Sequence, residues 1–336
     1  MKIAILGLGP AGIFALALLP EQALKDAVVF EPAAIGGDLA TKYAAVIANI
    51  PKSQIVAAFK KIPRYESTAF PFLDPYSDDA CPPLGVVAKQ LRQLALPLLK
   101  QTTFHASKVT HLEYKADIWT LKTQTNELFE VQKVFVCTGA EPKAMNLPLP
   151  TIPLYVALTP ALLSAHVNSE DNVVVFGTAH SGTLVLKNLK DACVSKVTAV
   201  HKGPTPFIYA RDGVSEGIKA ESATIADSIK AGEWTNQTPT FLSYDKFADV
   251  YRAVYSATAV IYACGFERSS VTITNNGVEQ KVSHDGTGFV DAPPGLYGFG
   301  IGFPSLYTGS DGKKYPDIGF AGFIDALLPV IQQLDV

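Results

Sequence analysis

At 336 residues, 48% of them hydrophobic, the chain holds ample apolar material for a large core and enough length for two or three domains. With 28 basic against 31 acidic side chains it carries no basic field for nucleic acid, and no run approaches the ~18 uninterrupted apolar residues of a membrane span. Its four cysteines, Cys81, Cys137, Cys193 and Cys264, stand far apart, which excludes a CxxC redox pair and a contiguous zinc knuckle; no metal centre is expected, and packing cysteines fit a reducing, cytoplasmic setting.

The first predicted strand, 2–6, runs straight into Gly7, Gly9, Pro10, Ala11 and Gly12, followed by an apolar helix over 13–19 and a second strand over 27–30 that ends at Glu31. Gly7 permits a tight turn, Gly9 lets the backbone approach a pyrophosphate, and Gly12 lets the helix pack on the strand with its N-terminus facing the negative charge. Glu31 falls roughly 20 residues after the glycines, where an acid accepts from ribose hydroxyls. The combination predicts a dinucleotide site. A secretory signal peptide is the rival reading of the same apolar opening, but the glycines interrupt its helix and Glu31 has no place in it.

Next come two irregular, aromatic segments and one alternating one. Residues 64–84 are rich in Pro and aromatics and read as a binding loop or as structural cover. From 104 to 121 apolar and polar residues alternate, which predicts a small antiparallel sheet, with Val109 placed against an adenine. A strand over 133–136 then ends in Cys137, Thr138 and Gly139, a turn that lets the chain leave beside a bound cofactor, and Pro142, Pro148, Pro150 and Pro153 mark a linker.

The opening pattern returns in the middle of the chain. A β-branched strand over 172–176 meets Gly177, Thr178, Ala179, His180, Ser181 and Gly182, then a helical run over 183–189 and a strand over 197–200. Where the first unit ended in Glu31, this one ends in His201 and Lys202, a basic pair that attracts a ribose 2′-phosphate; NADPH is therefore expected over NADH, with a solvated basic turn as the alternative. Arg211 is a further candidate for that phosphate. A strand over 259–263 closes the unit at Cys264 and Gly265 as the earlier one closed at Gly139. His180 is the catalytic candidate, as a group that orients nicotinamide or substrate; a local hydrogen-bonding role is the competing reading. The final helix, 320–332, has an apolar stripe through Phe320, Phe323, Leu327 and Ile331.

Two nucleotide units, the second inserted into the first, predict an α/β protein of two Rossmann-like three-layer domains. Residues 1–148 and 265–336 form the first domain, and 149–264 the second. The arrangement resembles the flavoprotein pyridine nucleotide oxidoreductases, most of all the thioredoxin reductase group, and Gly36, Gly37, Asp38, Leu39, Ala40 and Thr41, continuing to Val46, Asn49 and Pro51, resemble the stretch that lines the flavin there. The resemblance implies FAD in the first site, held by Gly7, Gly9, Pro10, Ala11, Gly12, Glu31, Gly37, Leu39, Thr41, Asn49, Val109, Thr138, Gly139 and Gly300. It implies NAD(P)H in the second, held by Gly177, Thr178, His180, Ser181, Gly182, His201, Lys202, Cys264 and Gly265. The final helix would then point its positive end at the flavin, and a homodimer is implied by the resemblance alone.

Two departures bear on the chemistry. The central domain has no CxxC, so disulfide reduction by that route is excluded, and Gly300 is followed by Ile301 where much of the family has an acid for the flavin ribityl chain. The central GxxxSG loop and the missing acid also resemble flavin-containing monooxygenases. The expectation is an FAD-dependent NAD(P)H oxidoreductase that passes electrons to a small molecule or small redox protein. Alternatives are a flavin-dependent monooxygenase and a non-catalytic flavin- or nucleotide-binding protein.

Overall fold

A computed structural model describes residues 1–209, 216–235, 237–269, 271–286, 288–290, 292–309 and 312–334. The predicted opening strand, Ile3–Leu6, lies in the middle of a five-stranded, wholly parallel sheet. From one edge the order is Leu296–Gly298, Lys133–Val136, Ile3–Leu6, Val28–Phe30 and Thr103–His105. All four residues of Ile3–Leu6 are buried, as expected of a strand covered on both faces. Ile3, Ile5, Val29 and Phe135 pack against Phe14, Phe59, Leu91, Ile324 and Leu327 on one side. On the other side Ala4, Leu6, Val28 and Val136 meet Leu112, Trp119, Leu121 and Val131 of a second sheet.

That second sheet begins later than the alternation indicated. Thr103–His105 joins the parallel sheet beside Val28–Phe30, and the antiparallel run is Val109–Lys115, Ile118–Thr123 and Leu128–Val131. Thr272–Asn275, from beyond the central unit, adds to it in parallel, so the late segment returns to the first module at two places.

The central unit builds its own parallel sheet in the order Thr240–Ser243, Lys196–His201, Asn172–Phe176 and Ala259–Tyr262. Val173, Val175 and Ile261 face Val185, Leu189, Ile225 and Ile229, while Val174, Phe176, Val260 and Tyr262 face Val250 and Ala257. A two-stranded antiparallel ribbon, Ala140–Pro142 with Phe266–Arg268, carries the chain between the modules in both directions.

The modules also touch directly. Val46 of the first is buried in the core of the second, and Tyr43 and Leu84 pack against that core. Gly217, at the start of helix Gly217–Lys230, has a φ of +50° and lies so close to Ala48 that a methyl on it would overlap the Ala48 carbonyl. Only a residue without a side chain fits that contact.

Candidate functional site

The first glycine loop joins strand Ile3–Leu6 to helix Pro10–Leu18, with Gly9 as the N-cap in extended conformation and Pro10 in the first turn. Gly7 has a φ of +96°, and a methyl there would come 2.5 Å from the Cys137 carbonyl oxygen. A methyl on Gly12 would overlap the Gly7 carbonyl, so helix and strand are in backbone contact at that point. Gly9 differs from both: nothing lies within 4 Å of where its side chain would be. The loop therefore closes on the protein at Gly7 and Gly12 and opens to solvent at Gly9, at the positive end of a helix. This is the geometry a pyrophosphate requires.

Glu31 is 7% exposed at the end of its strand. Its carboxylate accepts from the Leu8 N–H at 2.7 Å and from the Ala33 N–H at 2.8 Å. One oxygen thus braces the glycine loop and the other braces the next turn. An ionised carboxylate has about four lone-pair sites, so two remain for ribose hydroxyls.

Around this loop the flavin-like segments close in. The Gly36 N–H donates to the Leu8 carbonyl at 2.8 Å, and Gly37, with a φ of +59°, stands where a methyl would be 3.0 Å from the Gly9 Cα. Gly300, with a φ of +84°, packs against Ala11 at the helix start, where a methyl would be 2.8 Å from the Ala11 Cβ. The Thr41 hydroxyl turns back to the Gly37 carbonyl at 3.3 Å, and the Thr138 hydroxyl donates to the Ser269 carbonyl at 3.1 Å. Asn49 and Thr41 are exposed, Leu39 is half-buried, and nothing lies within 4 Å of a methyl on Gly139. Asp38 is half-buried, and burial raises its carboxyl above the ordinary range against the pull of Lys42. The Lys42 ammonium in turn lies 3.0 Å from both Glu141 oxygens, linking this segment to the crossing ribbon.

Ile301, in the place of the absent acid, is 42% exposed. The final helix, Phe320–Gln332, carries a carboxylate of its own at its start: the Gly319 N–H donates to Asp317 Oδ1 at 3.1 Å, and Asp317 occupies the space a side chain on Gly322 would need. The helix docks on the first one through Phe14 and Phe320, 5.8 Å apart edge to face. Asp317 thus offsets part of the positive charge that the resemblance assigned to this helix end.

The central loop repeats the first in its backbone contacts. Gly177 has a φ of +98° and abuts the Ala263 carbonyl as Gly7 abuts that of Cys137, and a methyl on Gly182 would overlap Gly177 as one on Gly12 would overlap Gly7. Helix His180–Asp191 follows with Ala179 as its N-cap. Thr178 is buried and its hydroxyl donates to the Pro206 carbonyl, while Thr183 donates to the Thr178 carbonyl at 3.1 Å. Ser181 is half-buried with no side-chain partner among the described residues. His180 Nδ1 lies 2.8 Å from the Ser222 hydroxyl; burial pushes its imidazole below the ordinary value, and the charge of Lys219 pushes it further. His201 Nδ1 is 2.9 Å from the Gly203 carbonyl, Lys202 is exposed, and Arg211 lies outside the described residues. Cys264 is exposed with its thiol 3.5 Å from the Lys143 carbonyl, beside Gly265 with a φ of +94°.

Val109 is 5% exposed, and its side chain packs in the core between the two sheets of the first module. The edge beside Glu31 is lined instead by His105 and Phe129: His105 stacks on Phe30 at 5.3 Å and meets Phe129 at 4.5 Å, and its carbonyl accepts the Glu31 N–H at 3.1 Å. Neither residue was predicted. The loop 64–84 is also less open than its composition indicated, because Tyr65, Phe70 and Leu73 are buried in the first core. Among the described residues no three His, Cys, Asp or Glu side chains gather as a metal site, and no helix is long and apolar enough to cross a membrane.

Residues 4–141 match a family model described as FAD-NAD(P)-binding. No curated protein matches the sequence. Among solved structures, bacillithiol disulfide reductase from Staphylococcus aureus is 14% identical with a TM-score of 0.60, covering 99% of each chain. The flavin-containing monooxygenase from Stenotrophomonas maltophilia is 15% identical with a TM-score of 0.59, over 99% of this chain and 97% of that one. Thioredoxin reductase from Lactococcus lactis is 14% identical with a TM-score of 0.55 over the same shares. All four cysteines of the present chain are unpaired. Its fold is shared with these thioredoxin-reductase-like structures, with the FAD-NAD(P)-binding match confined to residues 4–141, and its four cysteines form no disulfide pair.

Proposed function

We propose that the chain is an FAD-dependent NAD(P)H oxidoreductase in which the first loop holds the flavin and the central loop binds the nicotinamide cofactor. The observation that carries this reading is the pair of glycine loops, each closed by backbone contact at two glycines and each opening a helix at the end of a parallel strand. Gly9 leaves room for a pyrophosphate, and Glu31 keeps two lone-pair sites for ribose. Bound flavin would accept a hydride from the nicotinamide and pass electrons to an acceptor. The protein's part is to hold the two nucleotides at a fixed distance, which the crossing ribbon and the Gly217–Ala48 contact favour.

The acceptor is proposed to be a small molecule or small redox protein. Reduction does not pass through a cysteine pair, since none is formed. Ile301, next to Gly300 at the first loop, and Ile318, just before the final helix, are exposed apolar residues that such an acceptor could meet. Lys202 and His201 favour NADPH, because an exposed lysine with no partner among the described residues can meet a 2′-phosphate.

The test is anaerobic addition of NADPH to protein reconstituted with FAD. Loss of the oxidised flavin spectrum, then recovery on adding a quinone, disulfide or ferredoxin, is the expected result. A flavin that stays oxidised refutes the reading. Oxygen-dependent transfer of an oxygen atom to an amine or sulfide would assign a monooxygenase instead.

A further inference from the structure

Helix Gly217–Lys230 adds a residue to the central site that its glycine loop does not reveal. Ser222 is 2% exposed, and its hydroxyl lies 2.8 Å from His180 Nδ1 and 3.0 Å from the Lys219 carbonyl. A hydroxyl has one proton to give. If it goes to His180, the 3.0 Å contact with the carbonyl is left as two acceptors facing each other. If it goes to the carbonyl, the hydroxyl oxygen is free to accept from an Nδ1–H, and both short contacts are satisfied. The second arrangement puts the imidazole proton on Nδ1 and the lone pair on Nε2.

Nε2 has no partner among the described residues. A neutral imidazole with a bare acceptor nitrogen is poorly suited to a phosphate and well suited to an N–H donor. Its place indicates which end of a dinucleotide it meets. His201 and Lys202 stand at the end of the neighbouring strand, where an adenine ribose lies by the logic of the fold. His180 is instead tied to the helix whose first residue, Gly217, abuts Ala48 of the first module. The end of the nucleotide that must reach the other module is the nicotinamide.

We propose that Ser222 is a positioning residue that fixes His180 with its proton on Nδ1, so that Nε2 accepts a hydrogen bond from the carboxamide N–H of the nicotinamide. The assignment rests on the proposed function and adds a specificity contact to it. In nitrogen NMR of the histidine-labelled protein at pH 8, His180 should show the Nδ1–H tautomer, identified by its absence from His180→Asn. Ser222→Ala should lose that fixed tautomer and Ser222→Thr, which keeps the hydroxyl, should restore it.

Binding supplies the second readout. Ser222→Ala should weaken NADPH about 5-fold, the scale of one neutral hydrogen bond, while the 3-acetylpyridine analogue, which lacks the amide N–H, binds wild type and variant alike. An Nε2–H tautomer in the wild type overturns the proposal. So does a variant that weakens both nucleotides equally or neither. Wild-type protein that binds neither nucleotide refutes the proposed function as well, an outcome distinct from binding without discrimination.

Discussion

Two glycines three residues apart should fail in opposite ways when replaced. Gly12→Ala places a methyl about 3.0 Å from the Gly7 carbonyl carbon and closer still to its oxygen. Carbon atoms prefer about 3.5–4.0 Å, so helix Pro10–Leu18 must move away from the strand it packs on, at a cost of about 1–3 kcal/mol. An unfolding entropy of about 2.1 cal/mol/K per residue over 336 residues converts a loss of about 3 kcal/mol into a fall in Tm of about 4 °C if the chain unfolds as one unit. Gly9→Val has the reverse character. Its backbone is extended, with φ −67° and ψ −175°, and nothing lies within 4 Å of its Cβ position. The apoprotein should therefore melt as the wild type does while losing flavin retention. The assay is thermal unfolding of flavin-free protein alongside the visible absorbance of protein purified with excess FAD. A Gly9→Val apoprotein as unstable as Gly12→Ala, or one that keeps wild-type flavin content, would refute the argument that Gly9 is reserved for a ligand and Gly12 for the fold.

Three further outcomes are expected. Replacing His201 and Lys202 together by glutamine removes the basic end of the second strand and should raise the Kd for NADPH about 5- to 10-fold more than that for NADH, roughly one charge-assisted hydrogen bond at an exposed place; titration with both nucleotides checks this, and equal losses would return the pair to plain surface. Asp317→Asn removes a negative charge from the start of the final helix, worth about 0.3–1 kcal/mol, so the two-electron potential of bound flavin should rise by roughly 5–20 mV in a dye-coupled titration, and an unchanged or lower potential counts against it. Burial holds both His180 and His284 below their ordinary value of 6.5, so the unfolded chain binds more protons below that pH; stability should be full above about pH 6.5 and decline as pH falls toward the lowered folded values. Melting at pH 7.5 and 5.5 tests the sign, with a shallower decline expected for His284→Gln and an equal decline opposing it.

The parts of the site that could be read from the chain are those set by the absence of a side chain. Gly7, Gly12, Gly177 and Gly182 are needed because two backbones meet, and a backbone contact between a strand end and the next helix has a fixed spacing along the sequence. Buried β-branched strands such as Asn172–Phe176 and Ala259–Tyr262 were equally plain, since a strand covered on both faces is apolar throughout. Thr103–His105 gave no such signal. It is a short edge strand with two exposed residues, and the alternation that began nearby drew it into the wrong sheet. For Val109, alternation states that a residue faces one side of a strand and is silent on whether that side meets a ligand or another sheet; its side chain packs against the other sheet. Ser222 lies 42 positions from His180 and reaches it through the packing of two helices, so no local pattern announces it. Asp317 belongs to a hairpin, Ser305–Thr308 with Lys314–Asp317, whose partners are close in sequence, yet its role depends on where the following helix begins.

The two loops share a scaffold and differ where a ligand would touch them, and the differences run in one direction. At the first, Gly9 leaves the backbone bare, Glu31 is buried with both oxygens bonded into the loop and the adjoining turn, and Gly37 and Gly300 pack in around the helix start. These contacts tie the site to elements that are themselves part of the core, so the first loop is braced on several sides around the place a nucleotide would occupy. At the second, Ala179 keeps its methyl at the helix start, the end of the neighbouring strand carries an exposed lysine instead of a buried acid, and the thiol and glycine that close the unit are open to solvent. A site of this kind can exchange its occupant without disturbing the fold. One closely held group and one exchangeable carrier are what a hydride relay demands, since the group that stays must be reduced many times by molecules that come and go. The asymmetry between Gly9 and Ala179, and between Glu31 and Lys202, therefore supports the proposed assignment of flavin to the first loop and the nicotinamide cofactor to the second.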